Sequence, residues 1–367
     1  MKLILSGGGT GGHVSPALAI AETVKKRHKD CEIMFIGREG GDENRPVKAA
    51  GYKIHELRVR GIKRKITLDN FKSLLLAIKA ERETYKIIRD FHPDAVVGTG
   101  GYVCWPVLHA ATRAGIPTAI HESNLVPGLV TRTLAPRCTR VLLNYEKSCE
   151  YLKRKDNLLT VGNPLRAEFQ RLKRNEARAK LGIKPNEIYV VSFGGSGGAE
   201  ILNETICKVM KEYSAEVRRL IHLHACGRRY FSKYKNALKN TSGCEIREYI
   251  DNMPYHLKAA DIVICRCGAM TLSEIAASGA AAILIPSPNV TDNHQYKNGR
   301  YFSELGAAVM IEERDLTSER LMSEIKRLID NKEERRSLSE KVKRLSDPSS
   351  AERIANEIEK MTGINGV

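Results

Sequence analysis

The sequence predicts an α/β protein of two domains, each built on a parallel sheet. Three observations lead there. Short apolar, β-branched runs alternate with helical spacings along the whole chain, the pattern of strands joined by crossover helices. The opening motif, an apolar run that enters a glycine loop and then a helix, returns near residue 190. The 367 residues also exceed what one core usually holds.

Leu3, Ile4 and Leu5 read as a buried strand, followed by glycines at 7, 8, 9, 11 and 12. Ser15-Pro16 predicts a helix start, since serine caps and proline suits the first helical position, and Leu18, Ala21 and Val24 continue at helical spacing. IMFIG (33–37), DAVVGTG (94–100), IPTAIHE (116–122) and TRVLLN (139–144) read as further strands. After GNP at 162–164 comes the charged stretch RAEFQRLKRNEARAKLG, and EIYVVSFGGSGGAEILNETI then restarts the pattern. LIHLHAC (220–226), DIVIC (261–265) and AAILIP (281–286) complete the second set of strands. SSAERIANEIEKMTG, after Asp347-Pro348, reads as a last helix that packs back on the first domain. The expected division is 1–163, 164–344 and a terminal helix at 345–363. Two Rossmann-like domains are therefore expected, with parallel sheets facing an inter-domain cleft. Each offers a glycine loop and a helix N-terminus, where free N–H groups and the helix dipole favour an anion such as a diphosphate.

Sixty Lys and Arg against 43 Asp and Glu leave a net charge of +17, which suits anionic partners. Nucleic acid is set aside, because aromatics make up only 6% and do not interleave with the basic residues as a base-stacking platform requires. Nine cysteines, an odd number with no C-x-x-C pair, argue against a disulfide framework or a zinc ribbon. No charged leader opens the chain and no apolar run approaches the ~20 residues that span a bilayer, so a cytosolic or peripheral protein is expected.

Gly7, Gly9 and Gly12 satisfy G-x-G-x-x-G, but the acidic ribose ligand of a dinucleotide fold is missing about 20 residues on. His13 stands where a phosphate-binding P-loop needs lysine. The chain contains no Asp-x-Asp, so the charge of a departing diphosphate would fall to backbone amides, helix dipoles and an arginine. Arg166 in GNPLR is placed to be that cation or is a plain surface arginine. Ser196 in GGSGG is a phosphate ligand, a helix cap, or both. His13 is either a general base for a hydroxyl or only a hydrogen-bond donor. Thr271-x-x-Glu274 reads as a capping box, yet a carboxylate at a helix start also suits ribose hydroxyls. His294, Gln295 and Asn298 follow a Pro-rich loop, a place for groups that read a polar ligand.

GGTGGH (8–13), GTGGYV (98–103), HESN (121–124) with Gly128, GNPLR (162–166), GGSGGA (194–199), YIDNM (249–253), CRCGAMTLSE (265–274) and HQYKN (294–298) occur in this order across nearly the whole chain. Together they resemble the MurG family of bacterial peptidoglycan N-acetylglucosaminyltransferases, which have the two-domain GT-B fold. The resemblance implies an inverting, metal-independent and cofactor-free transfer of N-acetylglucosamine from UDP-N-acetylglucosamine. The acceptor is the C4 hydroxyl of muramic acid in undecaprenyl-diphospho-N-acetylmuramoyl-pentapeptide (lipid I), and the product is lipid II. It places Ser196 and Arg166 at the donor diphosphate and the backbone of Ile250 at the uracil. Ala269, Met270, Thr271, Leu272, Ser273 and Glu274 would run along the nucleotide, with Glu274 on the ribose, and Gln295 would read the sugar or its diphosphate. Thr10, Gly11, Gly12 and His13 would meet the donor sugar and the lipid I diphosphate, with Tyr102 and Asn124 lining the same cleft and His13 taking the proton. Ser15, Ser123, Gly197 and His294 depart from the residues usual in that family. Rivals are a diacylglycerol glycosyltransferase, which keeps the fold and changes the acceptor, and a UDP-N-acetylglucosamine 2-epimerase, which needs no lipid.

The charge finds a use between residues 61 and 93, where Lys63, Arg64, Lys65, Lys72, Lys79 and Arg82 interleave with Phe71, Leu74, Leu75 and Ile78. A cationic, apolar helix surface rests on an anionic membrane. Peripheral attachment to the cytoplasmic side of the cell membrane is expected, against the alternative that these leucines face the core.

Overall fold

The computed structural model describes residues 1–9, 11–61, 68–213, 219–238 and 241–364. Thr10 and the basic residues Lys63, Arg64 and Lys65 lie outside the described residues. The chain divides into two compact units, Met1–Arg166 with Asp347–Val367, and Ala167–Ser346.

The first unit contains strands β1 (Lys2–Ser6), β2 (Glu32–Arg38), β3 (Lys53–Leu57), β4 (Ala95–Gly98), β5 (Thr118–Glu122), β6 (Arg140–Leu143) and β7 (Leu158–Thr160). All pair in parallel, in the order β3-β2-β1-β4-β5-β6-β7. Its helices are α1 (Gly11–Arg27), α2 (Arg45–Ala49), α3 (Leu68–Phe91), α4 (Cys104–Arg113) and α5 (Leu129–Leu134). The second unit opens with α6 (Ala167–Arg171) and α7 (Arg174–Lys180), formed from the charged stretch. Its sheet comprises β8 (Ile188–Phe193), β9 (Leu220–Ala225), β10 (Cys244–Arg247), β11 (Ile262–Cys265), β12 (Ala281–Leu284) and β13 (Val309–Met310), again parallel, in the order β10-β9-β8-β11-β12-β13. Around it lie α8 (Glu200–Tyr213), α9 (Phe231–Tyr234), α10 (Met253–Ala259), α11 (Ala269–Ser278), α12 (His294–Glu304), α13 (Ser318–Asp330) and α14 (Lys332–Lys343). The last helix, α15 (Ser350–Thr362), belongs to the first unit.

Both faces of each sheet are covered, so the central strands are mainly apolar on both sides, and the polar side chains they bury, such as Ser192, His222 and His224, are hydrogen-bonded. Along β1 the side chains alternate. Ile4 joins a core with Val96, Ile120, Ala80 and Leu108 under α3 and α4. Leu3 and Leu5 join another with Val97, Leu142, Ile20, Ile354 and Ile358 under α1 and α15. In the second unit Val190, Ile262 and Ile283 pack against Leu202 and Ile206 of α8 and Leu321 and Ile325 of α13.

The first helix departs from its expected start. It begins at Gly11, and Pro16 lies inside it rather than at its first position. The glycine motif is thus partly the first turn of the helix, whose leading N–H groups have no intrahelical acceptor.

The terminal helix is fixed by polar bonds as well as by its core. Arg27 of α1 pairs with Glu352 (2.7 Å) and Glu359 (3.1 Å), and Arg353 donates to the Thr160 carbonyl (2.5 Å). Ile358, fully buried, is its central apolar contact. Ile358→Ala is expected to lower stability by about 2–4 kcal/mol in a urea titration, through lost transfer energy and the cavity left behind.

Candidate active site

In both sheets the first strand of the unit lies where the connections begin to run in opposite directions, between β2 and β4 in one and between β9 and β11 in the other. Ligands of open α/β sheets bind outside the carboxyl ends of strands at such a point. Both glycine loops lie there.

In the first unit the loop after β1 and the loop after β4 touch main chain to main chain. A Cβ on Gly101 (φ +83°) would fall 1.8 Å from the Gly8 carbonyl oxygen, and one on Gly100 (φ +110°) 2.5 Å from His13 Nδ1. His13 Nδ1 lies 3.2 Å from the Thr99 carbonyl oxygen. A carbonyl only accepts, so Nδ1 donates, and in the neutral ring Nε2 is then the nitrogen with the lone pair. Thr99 Oγ1 donates to the His13 carbonyl (2.6 Å), fixing the first turn of α1 from the same strand end. Tyr102 lies over Gly9, its ring 3.2 Å from where a Cβ on that glycine would sit, and burial raises its hydroxyl pKa. Gly11 and Gly12 are exposed at the start of α1. The structure thus brings His13, Gly11, Gly12 and Tyr102 to one end of the sheet.

Two acidic residues that the sequence reading passed over organise this end. Glu43 accepts the Gly9 N–H (2.8 Å) and pairs with Arg38 (3.2 Å). Burial alone would raise its pKa, but the Arg38 guanidinium and backbone N–H groups outweigh that and hold it below the usual carboxylate range. Glu122, at the end of β5, uses one oxygen for the Asn124 N–H (3.0 Å) and side-chain amide (3.1 Å), and the other for the Gly128 N–H (2.9 Å) and Thr131 hydroxyl (2.6 Å). Asn124 is therefore aimed by its neighbour. The signal for Glu122 was its place in HESN, ahead of Gly128 and Thr131, but such a local cage shows only when the loop is folded. His121 turns inward, donating Nε2–H to the Gly162 carbonyl (2.9 Å), and burial lowers its pKa.

In the second unit the loop Gly194–Gly198 leaves β8, with Gly195 at φ +90° and Gly198 at φ +76°, and the Gly198 N–H closes a turn on the Gly195 carbonyl (3.0 Å). Ser196 is exposed on it. Ile250 buries its side chain, leaving its backbone as the group it can present. Helix α11 begins at Ala269, with Gly268 as its N-cap and no side-chain cap, so Thr271 and Glu274 do not form the expected capping box. Thr271, Ser273 and Glu274 lie on its partly exposed side, whereas Ala269, Met270 and Leu272 turn into the core. Leu272 is the member of this run least able to touch a ligand, because it is fully buried and its N–H is taken by the Gly268 carbonyl.

Gln295 Oε1 accepts from the backbone of Ser287 (2.9 Å) and Cys267 (3.3 Å), tying the loops after β12 and β11 and leaving the amide N–H groups as donors. Before it, Asp292 (φ +55°) and Asn293 (φ +50°) hold the left-handed conformation, a strain that concentrates at binding sites. His294 Nδ1 donates to the Thr291 carbonyl (2.7 Å) and Asn298 is buried, so both support the loop. Arg166 is exposed at the end of the first unit, immediately before α6. Among the described residues no group of three or more His, Cys, Asp and Glu is placed to hold a metal ion.

Helix α3 corrects the alternative in which its leucines face the core. Phe71, Leu74, Leu75 and Ile78, at i, i+3, i+4 and i+7, are all exposed (39–64%), while Ala80, Thr84 and Ile88 face inward. Lys72, Lys79 and Arg82 border this stripe. Among the described residues no helix is long and apolar enough to cross a membrane.

The glycosyltransferase family 28 N-terminal domain matches residues 3–143, and the C-terminal domain of the same family matches residues 189–354. A protein of Thermoanaerobacter sp. (strain X514) named UDP-N-acetylglucosamine–N-acetylmuramyl-(pentapeptide) pyrophosphoryl-undecaprenol N-acetylglucosamine transferase is 40% identical over 368 residues, covering 99% of this chain and 100% of its own. The crystal structure of Acinetobacter baumannii MurG matches with a TM-score of 0.76 at 26% identity, over 98% of this chain and 99% of that one. A putative UDP-N-acetylglucosamine 2-epimerase from Listeria monocytogenes matches with a TM-score of 0.74 at 14% identity, over 98% and 96% of the two chains, and shows the fold alone.

Glu122→Gln tests the cage around Asn124. It replaces an acceptor with an amide that faces N–H or O–H donors, so a loss of about 1–3 kcal/mol in denaturant unfolding is expected.

Proposed function

Since the chain belongs to glycosyltransferase family 28, we propose that it is the N-acetylglucosaminyltransferase that makes lipid II from lipid I and UDP-N-acetylglucosamine. The observation that carries this reading is the 40% identity, over 99% of the chain, to a transferase of that name. The epimerase alternative has only a likeness of fold on its side.

The chemistry follows from the residues. His13, its Nδ1–H committed to Thr99, takes the proton of the acceptor C4 hydroxyl on Nε2. The hydroxyl oxygen attacks the anomeric carbon as the bond to UDP breaks, and the diphosphate leaves with the electron pair, inverting the centre. Its charge is met by Arg166, the Ser196 hydroxyl and the N–H groups of 194–197, donors that a folded loop holds ready for developing charge. Glu274 and the start of α11 hold the ribose, Ile250 presents its backbone to the uracil, and the Gln295 amide donates to the sugar or its diphosphate. Tyr102, Asn124 and the first-turn N–H groups of α1 hold the diphosphate end of lipid I. The exposed stripe of α3 rests on the anionic membrane that carries this acceptor, each nearby Lys or Arg adding about 1 kcal/mol.

Purified protein, labelled UDP-N-acetylglucosamine and a lipid I analogue should give sugar transfer that persists in a chelator. Transfer to diacylglycerol instead, or formation of UDP-N-acetylmannosamine from the donor alone, would overturn the reading. His13→Ala should lower kcat by about 10²–10⁴-fold, the usual contribution of a general base. Replacing Leu74, Leu75 and Ile78 by Ser should reduce sedimentation with anionic vesicles by about tenfold or more, given the apolar area lost to each change. Unaltered binding would refute the membrane face.

A further inference from the structure

Beneath the loop 194–198 lies a buried chain of polar side chains that the reaction as described leaves without a role. Ser192, His222, His224 and Asn203 are fully buried. Ser192 Oγ lies 2.7 Å from His222 Nε2 and 2.8 Å from His224 Nδ1. His224 Nε2 lies 3.1 Å from Asn203 Oδ1, and Asn203 Nδ2 donates to the Cys226 carbonyl (2.9 Å).

The donor and acceptor inventory allows one direction through this chain. The Cys226 carbonyl can only accept, which fixes the Asn203 amide with its oxygen towards His224. His224 Nε2 must then carry a proton. Burial holds the pKa of His224 down to about 4 and that of His222 well below the ordinary value, so both rings are neutral at pH 7. A neutral His224 protonated at Nε2 has Nδ1 as an acceptor, so Ser192 donates to it and in turn accepts from His222 Nε2–H.

This chain ends at the glycine loop. Gly227, next to Cys226, has φ +84°, and a Cβ there would fall 2.4 Å from the Gly198 nitrogen, while a Cβ on Gly198 would fall 2.1 Å from the Cys226 oxygen. The carbonyl that Asn203 holds therefore presses on the last residue of the loop. The backbone of Asn203 belongs to the helix that the loop opens, its N–H bonded to the Ala199 carbonyl (2.8 Å).

We propose that Asn203, His224 and Ser192 are positioning residues for the donor diphosphate. Their one-way hydrogen-bond chain locks the Cys226–Gly227 turn against Gly198 and so sets the direction of the N–H groups of 194–197. The inference rests on the assignment of that loop to the UDP diphosphate.

UDP and uridine separate the two ideas, because only UDP reaches the loop. With the full-length protein and titration calorimetry, wild type should bind UDP more tightly than uridine. His224→Leu and Asn203→Leu should weaken UDP about tenfold and leave uridine within about twofold, the size of effect expected from a lost buried hydrogen bond. His224→Gln, whose side-chain amide can still donate to Asn203, should restore UDP affinity to within about threefold of wild type. Thermal melts confirm which variants are folded. If the leucine variants do not fold, Ser192→Ala, which removes one hydroxyl, decides by the same ratio. Equal weakening of UDP and uridine, or no weakening of either in a folded variant, would overturn the positioning role while wild-type discrimination left the donor assignment standing. A wild type that binds UDP no better than uridine would overturn the donor assignment itself, and the positioning role with it.

Discussion

The candidate site in each unit depends on one constraint, that two loops leaving neighbouring strands must meet main chain to main chain. In the first unit this is Gly8 against Gly101, in the second Gly198 against Gly227, and at both contacts a single Cβ would lie between 1.8 and 2.4 Å from a backbone atom. Real Cβ atoms do not approach so closely, so an alanine at either contact would force a loop away and take the following helix start with it. The glycines therefore do more than leave N–H groups open to an anion. They let the strand that carries the loop and its neighbour share a surface, which fixes where those N–H groups point.

From that contact the polar design of each unit follows. Strand ends supply carbonyl and hydroxyl groups that fix the helix starts, as Thr99 does for His13. Loops farther along the sheet supply the specific readers, Asn124 aimed by Glu122 and Gln295 aimed by the backbone at Ser287 and Cys267. These readers are held by atoms that have no freedom of their own, which is what keeps a bound diphosphate or sugar in one register. The net charge of +17 adds a long-range pull on anionic ligands and surfaces but plays no part in that register.

What could be read in the sequence follows burial. Every strand at the centre of a sheet was legible, because a parallel strand covered on both faces is a mainly apolar run, broken in β9 only by two buried histidines. The four that escaped notice, β3, β7, β10 and β13, are the four sheet edges, with polar or very short sequences such as KIHEL and CEIR. An edge strand has pairing on one side only and needs no such run. The start of α1 was misplaced because Ser15-Pro16 is a strong local cue, and only the fold shows that Gly11 and Gly12 already take helical geometry. The apolar spacing on α3 was visible, but spacing gives a face and not its direction, and it took the burial of Ala80, Thr84 and Ile88 to show that the leucines point outward. In the site, the residues carried by motifs were legible. The residues that aim them, Glu43, Glu122 and His224, were not, since Glu43 and His224 act between segments distant in sequence and the local cage around Glu122 forms only in the folded loop.

The two units hold their glycine loops by electrically different means. In the first, an ionised Glu43 takes the Gly9 N–H, which places a negative charge beside a loop proposed to receive a diphosphate. The structure offsets it with Arg38, which is partly exposed and so retains charge for an anion as well. In the second, the support beneath Gly198 is a chain of neutral groups, and burial keeps its histidines neutral, so nothing in it opposes a diphosphate. A nucleotide must leave this site as a freshly formed, more highly charged diphosphate. A neutral support leaves that charge to be balanced by groups that can let go, the loop N–H groups, Ser196 and Arg166, rather than by a fixed buried ion whose unpairing on release would cost several kcal/mol. The lipid-linked diphosphate, in contrast, carries the same charge before and after the transfer, and a fixed ion pair beside it costs the reaction nothing.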